Sequence, residues 1–383
     1  MPSLYIHVPF CIQKCDYCAF YSHSLGHFSQ ELIIPLYLEG LKIEMERRKK
    51  DAPQGVSSLF IGGGTPTVLE NRDLECLMKM IDRYFCLNST AEKTIEGNPG
   101  SITAAKLTLI RRYGINRFSL GVQSFNDNLL KAVGRMHTAQ EAREAIGCLR
   151  TAGFENINMD LMFGLPEQNM AIWQATIEEA LSYAPEHLSL YGLILEEGTP
   201  LFERFKANNA LLDRLPDDDL QAEMYDWSVE RLKQAGYRHY ETSNFARPGY
   251  ECRHNLGYWQ GKDYLGLGPG AVSCLNRVRW KNIAEVRIYQ SRLHNGQDPV
   301  DAAGREVLSL HECMAERVIL GLRLEEGVNL TLFKSDFGVD LRDIYRDVLE
   351  RYKNKNVFIF SGEYMCLNPK YSFIANLILQ DFV

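Results

Sequence analysis

Six short β-prone runs, each followed by a stretch long enough for a helix, leave this chain few ways to fold. The runs are Leu4 to Val8, Ser58 to Gly62, Lys93 to Gly97, Arg117 to Gly121, Asn156 to Met162 and His187 to Leu193. Between them, Arg72 to Phe85, Ala139 to Thr151 and Ala171 to Tyr183 repeat apolar residues three and four apart, as one buried helix face requires. Parallel strands covered by helices follow, an α/β fold. With no phosphate-loop or dinucleotide signature, an open, partial βα barrel of about six units suits the pattern better than a nucleotide-binding sheet. Polar breaks fall at the strand C-termini, at Gly62 to Thr67, Glu96 to Gly100, Gln123 to Asn126 and Asp160 to Pro166. In a barrel that end is where sites assemble.

The rest of the chain has a different texture. A helical stretch from Asp217 to Ala235 leads into a Gly- and aromatic-rich passage, Gly236 to Ser273, that reads as strands and loops. Beyond about residue 300, His311 to Leu322, Leu341 to Arg351 and Tyr371 to Val383 read as helices. We therefore expect a core domain over 1–238, a connecting region over 239–299 and a small, mostly helical C-terminal domain over 300–383. A length of 383 residues suits such a division.

A net charge of -7 argues against a broad basic surface for nucleic acid and favours a small-molecule partner. The start of the chain lacks the ordered regions of a signal peptide, and charges interrupt every apolar stretch before a membrane-spanning length. Ten cysteines are too sparse for a disulfide scaffold, and Cys76, Cys86, Cys148, Cys252, Cys274, Cys313 and Cys366 stand singly. A reducing, cytoplasmic setting is expected.

The other three cysteines are concentrated. Cys11, Cys15 and Cys18 lie on one loop after the first strand, within Phe10-Cys11-Ile12-Gln13-Lys14-Cys15-Asp16-Tyr17-Cys18. Three thiolates can hold three corners of a [4Fe–4S] cube whose usual complement is four, which leaves one iron open. An open iron can chelate the amino and carboxylate groups of S-adenosylmethionine (SAM), and electron transfer into the sulfonium then breaks a carbon–sulfur bond, chemistry that belongs to the cofactor. The alternative is a structural zinc site with His7 or His23 as fourth ligand. The C-x3-C-x2-C spacing, with an aromatic before the last cysteine, resembles the radical SAM signature throughout.

The resemblance extends over nearly the whole chain, to the radical SAM branch that contains the oxygen-independent coproporphyrinogen III oxidases and the HemW-type haem chaperones. It is carried by Gly62-Gly63-Gly64-Thr65-Pro66-Thr67, Ser119-Leu120-Gly121-Val122-Gln123-Ser124-Phe125, Gly134-Arg135-Met136-His137, Asp160-Leu161-Met162-Phe163-Gly164-Leu165-Pro166 and Arg253-His254-Asn255-Leu256-Gly257-Tyr258-Trp259. A glycine run at a strand end lets backbone amides approach a ligand, which makes Gly63, Gly64 and Thr65 candidates for the methionine end of SAM. The resemblance implies SAM contacts at Glu96, Gln123, Arg135, Asp160 and Tyr5. Arg135 suits a carboxylate because its planar fork donates two parallel bonds. Ile194 and Val272 align with apolar positions of the oxidases' SAM pockets, with ordinary packing as their expected role.

Two branches of the family share this cofactor set. In the oxidases the residue two after the third cluster cysteine is a fourth cysteine, whereas here it is Phe20. The oxidases also carry an N-terminal arm, for which the expected first strand leaves little room. His254-Asn255-Leu256-Gly257-Tyr258-Trp259 resembles the HNxxYW sequence of the haem-binding relatives. His254 is then the expected haem ligand, with Tyr258 and Trp259 beside it and Cys252 as a second candidate. The packed alternative has His254 bonded to backbone and the two aromatics filling a domain interface. The resemblance thus implies a haem chaperone with a [4Fe–4S] cluster and SAM, delivering haem to an acceptor haemoprotein and forming a cluster-dependent homodimer. The other reading is radical oxidative decarboxylation of coproporphyrinogen III.

Overall fold

A computed structural model describes residues 1–27, 30–301 and 304–383 of the chain. Six parallel strands stand side by side in chain order: β1 (Ser3–Val8), β2 (Val56–Gly63), β3 (Leu87–Gly97), β4 (Arg117–Gln123), β5 (Ile157–Phe163) and β6 (His187–Gly192). Every residue of β4 is buried, as expected of a strand covered on both faces. Its Phe118, Leu120 and Val122 enter the core under the helices, while Arg117, Ser119 and Gln123 line the lumen on the other side. Burying one Leu or Phe in that core contributes about 1.5–3 kcal/mol.

The helices start where their caps dictate. Ala139–Thr151 opens with a capping box in which Thr138 and Glu141 satisfy each other's backbone amides. Ala142, Ala145, Ile146 and Leu149 form its buried face.

The strand order is linear, so the barrel stays open. Its β1 edge gains a further parallel strand, Tyr264–Leu267, followed outward by antiparallel Val272–Leu275 and Val278–Lys281. At the β6 edge, Asn244–Ala246 and Arg238–Glu241 are added antiparallel. The connecting region therefore builds sheet on both flanks of the barrel. It also holds a helix, Arg253–Trp259, where strands and loops were expected.

The C-terminal part has its own core, with Val318, Phe333, Leu341, Met365 and Phe382 among its members. Its helices include Leu310–Gly321 and Leu330–Phe337, and the expected Leu341 to Arg351 helix breaks into Leu341–Ile344 and Arg346–Lys353. A three-stranded antiparallel sheet of Val328–Asn329, Tyr364–Leu367 and Phe358–Ser361 joins them, an element the helical expectation omitted. Among the described residues no helix is long and apolar enough to cross a membrane.

Candidate cofactor site at the barrel mouth

The cysteine loop leaves β1 at the C-terminal end of the barrel and is tied down at several points. Phe10–Cys11 pairs with His23–Ser24, and the Asp16 amide donates to the Val133 carbonyl at 3.2 Å. The Asp16 carboxylate meets Arg204 at 2.6 Å. Gly134 has φ +72°, and a Cβ there would lie 2.7 Å from the Asp16 side chain. A glycine is required at this turn by both backbone sign and space.

The turn sends Arg135 inward. Its Nη1 donates to Cys15 Sγ at 3.3 Å and Nη2 to Asn98 Oδ1 at 2.8 Å, while its buried Nε has no partner. Asn98 in turn donates to Thr65 Oγ1 at 2.9 Å, and that hydroxyl faces Cys11 Sγ at 3.6 Å. Two of the three sulfurs thus receive side-chain hydrogen bonds, the interaction that tunes thiolate-held clusters. Arg135, whose planar fork was expected to suit a carboxylate, is bonded here to a sulfur, a side-chain amide and the Gly121 carbonyl. Asn98, which closes this chain of bonds, lies inside the Glu96 to Gly100 polar break, where its residue type alone carries no signal of the role.

The glycine run works differently from the expectation. Gly63 donates its amide to Glu96 Oε2 at 3.0 Å, Gly64 to the Val8 carbonyl at 2.9 Å and Thr65 to the Phe10 carbonyl at 2.7 Å. The amides expected to reach a ligand are bonded within the protein. A Cβ on Gly64 would fall 2.5 Å from the Phe10 carbonyl oxygen and 2.8 Å from that of Val8. The run therefore lets the cysteine loop lie directly against the end of β2.

His7 Nε2 donates to the Tyr21 carbonyl at 2.9 Å, so its Nδ1 accepts from the Tyr5 hydroxyl at 2.9 Å. Both nitrogens of His7 are engaged, which removes it as the fourth ligand of a zinc site. Among the described residues no group of three His, Cys, Asp or Glu side chains gathers around a point suited to one ion. A cube asks for a different arrangement, since its three thiolates bond three different irons. The donor set of three free cysteines, with Arg135 and Thr65 directed at their sulfurs, fits such a cluster.

Below the loop the lumen forms a cavity of about 490 Å³, lined by Cys18, Glu96, Gln123 and Asp160 among others. Gln123 sits at φ +65°, an uncommon conformation for a residue with a side chain, at an irregularity in the β4–β5 pairing. Asp160 accepts from Asn158 Nδ2 at 2.8 Å and Ser119 Oγ at 3.3 Å. Burial raises its pKa against those bonds. Burial, and then the neighbouring Asp160, push Glu96 up to about 8. Ile194 lies at the cavity mouth, 67% exposed, whereas Val272 sits in the flanking antiparallel pair.

The helix Arg253–Trp259 is found at the opposite end of the barrel. His254 is 1% exposed, its Nδ1 paired with Ser58 Oγ at 3.0 Å and its Nε2 with Tyr258 Oη at 3.1 Å. From Ser58 to Gly63 the strand rises roughly 16 Å, so the motif lies far from the cysteine loop. Burial, then Arg117, lowers His254 to about 3, so the ring is neutral. This differs from the ready axial ligand expected, because neither ring nitrogen is open. Trp259 stacks under the Arg323 guanidinium at 5.8 Å. Cys252 is fully buried, donates to Glu92 Oε1 at 3.4 Å and is pushed up to about 12 by burial, which disfavours a thiolate ligand.

Comparison with known proteins decides the family. Residues 5–180 match the family model of the Radical SAM superfamily and residues 308–370 that of the HemN C-terminal domain. The heme chaperone HemW of Lactococcus lactis is 34% identical, the match covering 100% of this chain and 97% of the relative. The chain belongs to the HemW family. The HemW of Bacillus subtilis is likewise 34% identical, covering 100% and 99%, and that of Escherichia coli is 40% identical over 70% and 69%. Among solved structures, the coproporphyrinogen III oxidase HemN of Escherichia coli superposes with a TM-score of 0.85 over 100% of this chain and 90% of that one, at 24% identity. That likeness shows the fold which the HemW family and HemN have in common.

Proposed function

We propose that this chain binds haem and delivers it to an acceptor haemoprotein in the cytoplasm, as a radical SAM haem chaperone. The observation that carries the reading is its relationship to heme chaperones HemW along the full length of both chains. Cys11, Cys15 and Cys18 hold a [4Fe–4S] cluster, and when bound the cluster and SAM supply one-electron chemistry. Glu96, Gln123 and Asp160 face SAM from the lumen. Arg135 fixes the Cys15 side, Gly63, Gly64 and Thr65 seat the loop, and Tyr5 braces it through His7. Phe20, where the related oxidases have a further cysteine, disfavours decarboxylation of coproporphyrinogen III as the reaction. The loaded protein is a homodimer.

His254 reaches haem iron only if its bonds to Ser58 and Tyr258 part, so ligation through His254, Tyr258 and Trp259 is coupled to release of their helix. The test is anaerobic cluster reconstitution, haem titration followed by the porphyrin absorption band, and transfer to an apo-haemoprotein. Saturable binding and transfer are expected. Absence of specific binding by folded, cluster-loaded wild type overturns the proposal. In His254→Ala, lost binding with the fold retained assigns the ligand, and unchanged affinity places it elsewhere.

A further inference from the structure

Arg117 opens β4 and points into the lumen, and its position is unusual for a charge. The residue is 2% exposed, its Nε is buried with no hydrogen-bond partner, and no ion pair to it forms among the described residues. Buried charges are normally paired because an unpaired one costs several kcal/mol of lost hydration. The carboxylates around it are committed elsewhere. Glu92 accepts the backbone amides of Arg253 and His254 at 2.9 and 3.1 Å, Asp160 is held by Asn158 and Ser119, and Glu96 by Gly63. With Glu96 raised to about 8, Arg117 is the standing cation of this cavity at neutral pH.

The same cavity changes character from floor to mouth. Phe60 and Met162 line its wall, and at the mouth Phe20, Tyr191 and Ile194 are 71%, 42% and 67% exposed. A cation at the closed end beneath an apolar, aromatic opening matches a ligand with a flat apolar body and carboxylate arms. We propose that haem enters this lumen edge-on, with one propionate on the Arg117 guanidinium and the macrocycle between Phe20, Tyr191 and Ile194. This placement rests on the haem-binding reading above, stands as the alternative to ligation by His254, and makes haem and SAM competitors for the one lumen of about 490 Å³.

The experiment compares haem with haem dimethyl ester, whose propionates carry no charge, on cluster-loaded, SAM-free wild type, Arg117→Gln and Phe20→Glu. Haem is expected to bind wild type at least about tenfold more tightly than Arg117→Gln, the weight of one charge-assisted hydrogen bond. The ester is expected to bind wild type as weakly as haem binds that variant. Phe20→Glu, at an exposed position, weakens both ligands and keeps the test open if Arg117→Gln fails to fold. Equal binding of haem and ester by wild type, or unchanged haem affinity in Phe20→Glu, overturns the placement and leaves the chaperone reading standing. Absence of haem binding by folded wild type removes both.

Discussion

Glu96 shows how one side chain can serve structure and site in opposing ways. It accepts the Gly63 amide and so fixes the end of β2, yet it does so inside a lumen that also holds Asp160. Its carboxyl is therefore protonated up to about pH 8 in the folded chain, against an ordinary value of 4.5. Between those two values the folded state binds more protons than the unfolded state, so this group makes stability fall as pH rises through the window. Glutamine keeps an acceptor for Gly63 and cannot ionise. Glu96→Gln is thus expected to melt above wild type at pH 8 and to converge with it near pH 5, as read by circular dichroism of the SAM-free protein. A difference that does not vary with pH shows that the carboxyl is not held neutral by its surroundings. Arg135 is the complementary case, a cation buried among acceptors that include the Cys15 sulfur.

At the scale of elements, the helix Arg253–Trp259 is what closes the floor of the barrel, and Glu92 holds it there. The carboxylate receives two backbone amides at the start of the helix and the Cys252 thiol, and no side-chain cap assists. Glu92→Ala leaves these donors buried without an acceptor and is expected to cost about 2–3 kcal/mol. Hydrogen exchange should show residues 253–259 losing protection before the barrel strands do. Protection equal to wild type means that the helix is held by other contacts. The barrel strands were legible in the sequence because β-prone runs and helical spacing alternate over long stretches. This helix was not, since seven residues containing Gly257 give too little periodicity to register. The hairpin Phe358–Ser361 and Tyr364–Leu367 did carry a signal, a turn through Gly362 with φ +57°, which the helical texture around it obscured. Residue types at strand ends located Glu96, Gln123 and Asp160, but direction is a property of the backbone path. Neither the inward amides of Gly63 and Gly64 nor the unpaired state of Arg117 can be seen from spacing.

At the scale of the whole molecule, the question is what fastens the C-terminal part to the open edge of the barrel. Arg279 pairs with Glu316 at the far flank, and at this edge Arg238 is the ion-pair candidate, meeting Glu325 at 3.2 Å and Glu326 at 3.0 Å, but these last three side chains are between 44% and 59% exposed. Exposed pairs contribute roughly 0–1 kcal/mol and weaken with salt. Beside them runs a short backbone seam in which Thr242 donates to the Arg323 carbonyl at 3.0 Å and Glu325 to the Tyr240 carbonyl at 3.1 Å. The seam extends the sheet edge into the C-terminal part and borders a groove of about 550 Å³ between the two. Fastening by the seam predicts that Arg238→Ala, or added salt, leaves small-angle scattering unchanged. Thr242→Pro removes the donor and imposes a fixed φ on the strand edge. It is expected to enlarge the radius of gyration and to split thermal unfolding into two steps, one for each core. The reverse pattern, with Arg238→Ala loosening the molecule and Thr242→Pro tolerated, makes charge the fastener and the seam a consequence of it.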